Sequence, residues 1–198
     1  MGILRKEKMR TVNSSTAGDR HFEVFNPYTN EVIGTCPKAS LDDIAGAFKT
    51  AKNYKASLSR AERSQILRRT ADILVSRRQE IAELITAESG LCLKDSTYEV
   101  GRAYDVFHLA SSIVLKDDGE IFSCDITPHG KKRRIYTQRD PLLNAISAIT
   151  PFNHPLNQVA HKVAPSIATN NRMVLKPSEK TPLTALVLAD VLYEAGLP

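Results

Sequence analysis

An asparagine and a histidine, Asn153 and His154, lie in the segment TPFNHP, at the point where an apolar run ends. The run, LLNAISAIT, is rich in β-branched residues and too short for a helix, so it predicts a buried strand. Ligands of open parallel sheets bind beyond the carboxyl ends of the strands. An amide placed there can donate an N–H to a developing oxyanion and contribute roughly 3 kcal/mol to a transition state. The alternative interpretation of Asn153 is an ordinary turn residue.

A second polar segment, KPSEKTP, follows the next predicted strand, RMVLKP. Lys176 and Glu179 lie three residues apart in it. A carboxylate can accept two hydroxyl protons of a ribose and repels a 2′-phosphate, so this pair would favour NAD over NADP. The alternative is an exposed salt bridge worth about 0.5 kcal/mol. The chain contains no G-x-G-x-x-G segment, so the usual dinucleotide fingerprint is absent.

The elements that must position these residues begin with a hairpin, which the segment HFEVFNPYTNEVIGTCP predicts. Ser40 then begins a helix with two aspartates in its first turn, where they complement the helix dipole. Ser59 and Glu62 form a capping-box pattern, and apolar residues recur at helical spacing from there to Gly90. The pattern predicts one long helix or two consecutive ones.

One further helix is predicted before the first strand, and one more after each of the two strands. Residues 96–115 carry an apolar stripe at helical spacing, and the segment KDDGE stops it. After the first strand, a helix is expected with Pro155 at its first position and a kink or restart at Pro165. The last helix runs from a cap at Thr181 to Glu194. The order strand, helix, strand, helix indicates the start of a parallel α/β sheet.

Composition narrows the class of protein. With 42% apolar and 25% charged residues, the chain resembles an ordinary soluble globular protein, and no stretch reaches the length of a membrane span. The net charge is +5, and the densest basic run, residues 131–134, predicts a solvated strand edge rather than a nucleic-acid site. Cys36, Cys92 and Cys124 show no C-x-x-C spacing. They indicate neither disulfides nor a metal site, and they favour a reducing, cytoplasmic setting.

The order and spacing of several motifs resemble the NAD(P)-dependent aldehyde dehydrogenase superfamily over nearly the whole chain. These motifs are TPFNHP, KPSEKTP, ALVLADVLYEAGLP, SRAERSQILRRTADIL and QRDPL. The resemblance implies an α/β fold with an amino-terminal hairpin and helices over residues 1–128 and an oligomerisation arm strand over 129–141. The first two βα units of an NAD-binding Rossmann sheet would follow over 142–198. It also implies a homodimer or homotetramer and a natural chain that continues past Pro198.

The resemblance assigns roles to individual residues. Asn153 would be the side-chain donor of the oxyanion hole. NAD would be lined by backbone atoms of Ile149, Thr150, Pro151 and Phe152. Its adenosine ribose would be bound by Lys176, Ser178 and Glu179. The run DPLLNAISAIT is one residue longer than is usual in the family. We therefore expect a bulge or register shift before Ala145.

The segments YEVGRAYDVF, KDDGEIFSCDITPHGK and ISAITPFNHPLN resemble the phosphonoacetaldehyde dehydrogenase branch, in which a histidine follows the asparagine. A phosphonate is an anion near neutral pH, an arginine offers it a fork of donors, and a histidine supplies a further donor. We therefore expect Arg102 and His154 to bind an anionic substrate group. Local alternatives are a surface pair of Arg102 with Glu99 or Asp105, and a helix cap formed by His154.

The reaction that the resemblance implies is NAD-dependent oxidation of phosphonoacetaldehyde to phosphonoacetate through a cysteine thiohemiacetal and thioester. The nucleophile and the base belong to segments like GQ-x-C and ELGG, neither of which occurs here, so this portion alone is expected to be inactive. The alternatives are a dehydrogenase for another small anionic aldehyde, such as a semialdehyde, and a non-catalytic interaction module.

Overall fold

The structure is a computed structural model that describes residues 5–11, 14–16, 20–55, 57–116 and 119–198. The strands are β1 (Arg5–Lys6), β2 (Met9–Thr11), β3 (Ser14–Thr16), β4 (His21–Phe25), β5 (Val32–Pro37), β6 (Ile121–Ser123), β7 (Arg134–Tyr136), β8 (Ile146–Ile149) and β9 (Met173–Lys176). The helices are α1 (Leu41–Asn53), α2 (Arg60–Ser76), α3 (Arg78–Ser89), α4 (Leu93–Ile113), α5 (Asn157–Ala168) and α6 (Leu183–Glu194).

The predicted opening hairpin is confirmed. Strands β4 and β5 pair antiparallel, and β1 adds in parallel to the other edge of β5. The turn between β4 and β5 is closed by Asn26, whose side-chain oxygen accepts hydrogen bonds from the amides of Tyr28 and Thr29. Val24 and Cys36 are buried against Leu183, so the hairpin packs on the first turn of α6.

The predicted caps of the first helices are also confirmed. Ser40 and Ser59 each accept a hydrogen bond from the amide three residues later and complete a capping box. Of the two alternatives for the next segment, two consecutive helices form, because the backbone leaves the helical conformation at Arg77. Helix α3 ends at Gly90, whose φ of 76° is the left-handed conformation that glycine adopts readily.

The main core lies among α2, α3, α4, α5 and α6. Phe107 of α4 is fully buried there, with Leu67 and Leu74 of α2 and Val159 of α5. Helix α4 begins at Leu93, earlier than predicted, because the amide of Ser96 already bonds to the carbonyl of Cys92. The aspartates of the KDDGE segment lie outside the described residues.

The two predicted strands are confirmed as a parallel pair, but the prediction that they are buried is wrong, because Ala148 is the only buried residue of the two strands. Strands β8 and β9 align in regular register, from Ile146 opposite Met173 to Ile149 opposite Lys176. The chain bends at residues 143–144, just before Ala145, and no register shift occurs inside the pair.

Three details of the last helices were predicted wrongly. Helix α5 begins at Asn157 rather than Pro155, although the amide of Gln158 bonds to the carbonyl of His154 in the turn before it. The helix also continues unbroken through Pro165 to Ala168, so no restart occurs. Thr181 does not cap α6, because its hydroxyl donates to a loop carbonyl and a distant carboxylate occupies the first amides of the helix instead.

The segment predicted as a lone arm strand forms a hairpin. Strand β7 pairs antiparallel with β6, and the basic run, residues 131–134, leads into β7. All residues of both strands are exposed, including Ile121, Ile135 and Tyr136. The apolar side chains of this hairpin are therefore available for contact with another protein surface.

Candidate functional site

The carboxyl ends of β8 and β9 bring the two polar segments together. The amide of Thr150 donates to the carbonyl of Lys176 at 3.3 Å, which extends the pairing past the end of β8. The hydroxyl of Thr181 donates to the carbonyl of Phe152 at 3.4 Å, and Nζ of Lys180 lies 4.6 Å from the centre of the Phe152 ring. These contacts place both loops on one edge of the sheet, where open α/β sheets bind ligands.

Asn153 lies at this edge with its side chain exposed. Within the described residues, its amide makes no hydrogen bond to the surrounding turn, so the turn does not use the side chain for its own closure. The amide N–H groups are free to meet a ligand. An exposed amide at this edge is able to donate a hydrogen bond to a ligand bound there.

The residues predicted to line NAD form the surface around Asn153. The side chains of Ile149, Pro151 and Phe152 are exposed, whereas Thr150 is only 4% exposed. The hydroxyl oxygen of Thr150 is buried and has no hydrogen-bond partner among the described residues. An open apolar rim with accessible backbone suits the edge of a flat ligand.

Lys176 and Glu179 form the ion pair that their spacing predicts, with 3.3 Å between Nζ and Oε2. Both side chains are exposed and remain reachable by a ligand. A backbone amide and the Lys176 ammonium hold the pKa of the Glu179 carboxyl below its usual value, so the group is anionic near neutral pH. Ser178 is mostly buried, and its hydroxyl accepts a hydrogen bond from the amide of Lys180.

Glu99 belongs to the site, although the sequence did not identify it as a site residue. It is 2% exposed, and its Oε1 accepts hydrogen bonds from the amides of Leu156 at 2.8 Å and Asn157 at 2.9 Å. Its Oε2 lies 3.5 Å from Nδ1 of His154. A signal existed, because Glu99 falls at helical spacing on the apolar stripe that includes Ala103, where a charge requires partners.

Glu88 holds the next helix in the same way. Its carboxylate accepts hydrogen bonds from the amides of Leu183 at 2.8 Å and Thr184 at 3.0 Å, and from the Thr184 hydroxyl. Burial raises the pKa of this carboxyl to about 7, and the hydrogen bonds oppose that shift. The first amides of α5 and α6 are thus both occupied by carboxylates, so they are not available to the phosphates of a dinucleotide.

Arg102 is exposed on α4, and the structure does not form the surface pairs considered for it. Glu99 is engaged with α5, and the Arg102 guanidinium makes no ion pair or hydrogen bond within the described part of the chain. It lines a pocket of about 280 Å³ together with Arg78, Tyr98 and Asp105. Arg102 lies one helical turn from Glu99, although no contact joins it to His154.

The proposed helix cap by His154 is not formed. Its side chain is 40% exposed, and Nδ1 faces the carboxylate of Glu99 instead of a backbone amide. Glu99 itself takes the amides that a capping side chain would satisfy. The ring of His154 therefore contacts Glu99 of α4 on its buried side, and the remainder of the ring is partly exposed.

The cysteines lie apart from this edge. Cys36 is buried, and burial raises the pKa of its thiol to about 12, which keeps it protonated. Cys92 is exposed at the start of α4, and Cys124 is partly buried after β6. Among the described residues, no group of three or more His, Cys, Asp and Glu side chains is placed to hold a metal ion. No described helix has the length and apolar character needed to cross a membrane.

Known proteins are similar to this chain in sequence and in fold. The model of the aldehyde dehydrogenase family matches residues 13–198. The chain is 38% identical over 177 residues to a 3-sulfolactaldehyde dehydrogenase of Priestia aryabhattai, covering 89% of this chain and 37% of the relative. The chain thus spans less than half the length of that relative.

Two solved structures show the same fold. An NADP-dependent glyceraldehyde-3-phosphate dehydrogenase from Bacillus halodurans, solved with NADP, superimposes with a TM-score of 0.93 at 27% identity, over 98% of this chain and 42% of that one. A putative methylmalonate-semialdehyde dehydrogenase from Sinorhizobium meliloti, solved with NAD, gives a TM-score of 0.86 at 30% identity, over 100% and 40%.

Proposed function

Because the chain belongs to the aldehyde dehydrogenase family, we propose that the protein oxidises a small anionic aldehyde to its carboxylic acid with NAD. We propose phosphonoacetaldehyde as that aldehyde and phosphonoacetate as the product, which places the protein in phosphonate metabolism. The observation that carries this proposal is His154, held by Glu99 directly beside the exposed amide of Asn153. A donor for an oxyanion and a donor for a second anion therefore lie next to each other.

Different residues of this chain bind the two ends of the substrate. When a thiolate attacks the aldehyde carbon, the carbonyl oxygen becomes an oxyanion, and Asn153 donates an N–H to it. Arg102 and His154 bind the phosphonate. The segments that resemble GQ-x-C and ELGG, which carry the nucleophile and base in this family, do not occur in these 198 residues.

The cofactor supplies the hydride acceptor when it is bound. Backbone atoms of residues 149–152 would line it, and Lys176, Ser178 and Glu179 would hold its adenosine ribose. NAD and NADP both occur in solved structures of this fold. The anionic Glu179 supports NAD here, because a carboxylate repels a 2′-phosphate.

The relatives support an anionic aldehyde as the substrate class. Their names specify a sulfonated, a phosphorylated and a carboxylated aldehyde. A sulfonated or carboxylated aldehyde is therefore the second candidate substrate, because an arginine and a histidine bind any small anion. The step from this class to phosphonoacetaldehyde rests on His154 and on the motifs around it.

The proposal also includes the cellular compartment and the oligomeric state of the protein. Three free cysteines, one of them fully exposed, fit a reducing cytoplasm. The exposed apolar hairpin of β6 and β7 fits an arm that pairs subunits, which supports a homodimer or homotetramer.

Replacing His154 by Phe tests the substrate assignment in the protein at its native length. We expect kcat/KM for phosphonoacetaldehyde to fall by about tenfold or more, since a hydrogen bond to a charged group contributes about 1.5 kcal/mol or more. The value for acetaldehyde, which has no anionic group, should stay the same. His161→Phe, at an exposed position of α5, is the matched control. Equal losses for both aldehydes would reject the role of His154.

A further inference from the structure

A buried carboxylate lies directly behind the histidine that we assign to the substrate. Glu99 is held in one orientation, because its Oε1 accepts two backbone hydrogen bonds at the start of α5, at 2.8 and 2.9 Å. Its second oxygen, Oε2, is consequently fixed 3.5 Å from Nδ1 of His154. Both of these atoms are buried, and neither makes a hydrogen bond in this geometry, either with the other or with any further described residue.

The position of the ring proton follows from this contact. A carboxylate oxygen only accepts hydrogen bonds, whereas Nδ1 of a histidine donates when protonated and accepts when bare. A bare Nδ1 would face Oε2 of Glu99 with two lone pairs in a buried place, which leaves both atoms unsatisfied. A proton on Nδ1 instead turns the contact into an electrostatic attraction between an N–H group and a carboxylate oxygen.

We propose that Glu99 is a positioning residue that keeps a proton on Nδ1 of His154 and thereby turns Nε2 toward the anionic group of the aldehyde. This inference rests on the proposed function. Nδ1 is buried while 40% of the His154 side chain is exposed, so the open part of the ring includes the atoms opposite Nδ1. Nε2 lies among these atoms and points away from the carboxylate.

The position of the proton decides what His154 offers to a substrate. With Nδ1 protonated, Nε2 donates a hydrogen bond only when the ring carries both protons. The anion is then bound by an imidazolium that lies between the Glu99 carboxylate and the substrate. A charged donor of this kind binds an anion about twice as strongly as a neutral one.

Glu99 also connects the two ends of the substrate site. The amides that it holds, those of Leu156 and Asn157, follow Asn153 and His154 directly in the chain. One buried side chain of α4 thus fixes the loop that carries both donors. The distance between the oxyanion donor and the anion donor is set by this attachment.

The variant Glu99→Gln tests the inference. Gln keeps an oxygen for the two amides of α5 but places an NH₂ donor opposite Nδ1, so the ring proton should move to Nε2. Glu88→Gln is the matched control, because Glu88 is an equally buried carboxylate that holds the next helix and contacts no histidine. Both variants are made in the protein at its native length.

The first readout is solid-state ¹⁵N NMR of protein labelled with ¹⁵N-histidine, without substrate. The signal of His154 is identified by its loss in His154→Phe. We expect a protonated Nδ1 in the wild type and in Glu88→Gln, and a bare Nδ1 in Glu99→Gln. A bare Nδ1 in the wild type overturns the inference, and that result does not depend on whether Glu99→Gln folds.

The second readout is steady-state kinetics. In Glu99→Gln, KM for phosphonoacetaldehyde should rise by about tenfold more than KM for acetaldehyde, because a charged donor becomes a neutral one and only the phosphonate uses that donor. A His154 signal that is the same in Glu99→Gln and wild type overturns the role of Glu99, and His154→Phe then decides the proposed function separately. A moved proton with an unchanged KM overturns the link from Glu99 to the substrate.

Discussion

At the scale of single residues, the most demanding role that we propose is that of Asn153. Its side chain is exposed at the edge of the sheet and is not used to close its own turn within the described residues. A donor that its own turn does not use is available to an oxyanion that forms beside it.

Asn153→Ala should therefore lower kcat by about 10²- to 10³-fold, since this is the usual cost of removing one oxyanion donor. Binding of NAD should not change, because the amide is assigned to the aldehyde oxygen. Single-turnover kinetics with titration of NAD separates these two effects. A kcat within about twofold of wild type would show that Asn153 is only a turn residue.

Glu179 should control the choice between NAD and NADP. Glu179→Gln removes the negative charge that would repel a 2′-phosphate and leaves Lys176 without its ion pair. We expect the ratio of kcat/KM for NADP to that for NAD to rise by about tenfold at low salt, and by less at high salt, because both side chains are exposed. An unchanged ratio would remove Glu179 from the cofactor site.

At the scale of elements, two buried glutamates attach the helices of the parallel sheet to the rest of the core. Glu99 of α4 holds α5, and Glu88 of α3 holds α6. Removing a buried carboxylate of this kind leaves backbone amides without acceptors, which costs about 1 to 3 kcal/mol for each group. The positions of the loops that carry the site residues therefore depend on the hydrogen bonds of these two carboxylates.

Glu88 should make the stability of the fold depend on pH. Its carboxyl has a pKa raised from 4.5 to about 7 by burial. Between these values the folded protein keeps a proton that the unfolded chain has lost, so the free energy of unfolding falls as the pH rises, by up to about 3 kcal/mol.

Urea unfolding between about pH 5 and about pH 8 measures this dependence. In Glu88→Gln the decrease contributed by Glu88 should disappear, because the amide does not titrate. The same slope in the variant and the wild type would mean that Glu88 is ionised in the folded protein at both ends of this range.

At the scale of the whole molecule, local patterns predicted most of the fold. The capping boxes at Ser40 and Ser59 depend on residues three positions apart, and β8 and β9 follow from short apolar runs. The attachments by Glu88 and Glu99 could not be read in this way, because each joins residues 57 or more positions apart. The same distant carboxylates explain why Thr181 and His154 are not helix caps.

The sequence also predicted the edge of the sheet at which the site residues meet, although not all of their contacts. The pair Lys176 and Glu179 and the loop of Asn153 lie where the strand order places them. The environment of His154 depends on α4, which precedes it by about 50 residues and is brought to it only by the packing of the core. Spacing along the chain does not specify a contact of that kind.

The most direct test of the central claim is NADH formation by the protein at its native length, with phosphonoacetaldehyde, succinate semialdehyde and acetaldehyde compared side by side. We predict the highest kcat/KM for phosphonoacetaldehyde, exceeding that for acetaldehyde by about tenfold or more, because only the anionic aldehyde uses Arg102 and His154. An equal or higher value for acetaldehyde, or no NADH from any of the three, would contradict it.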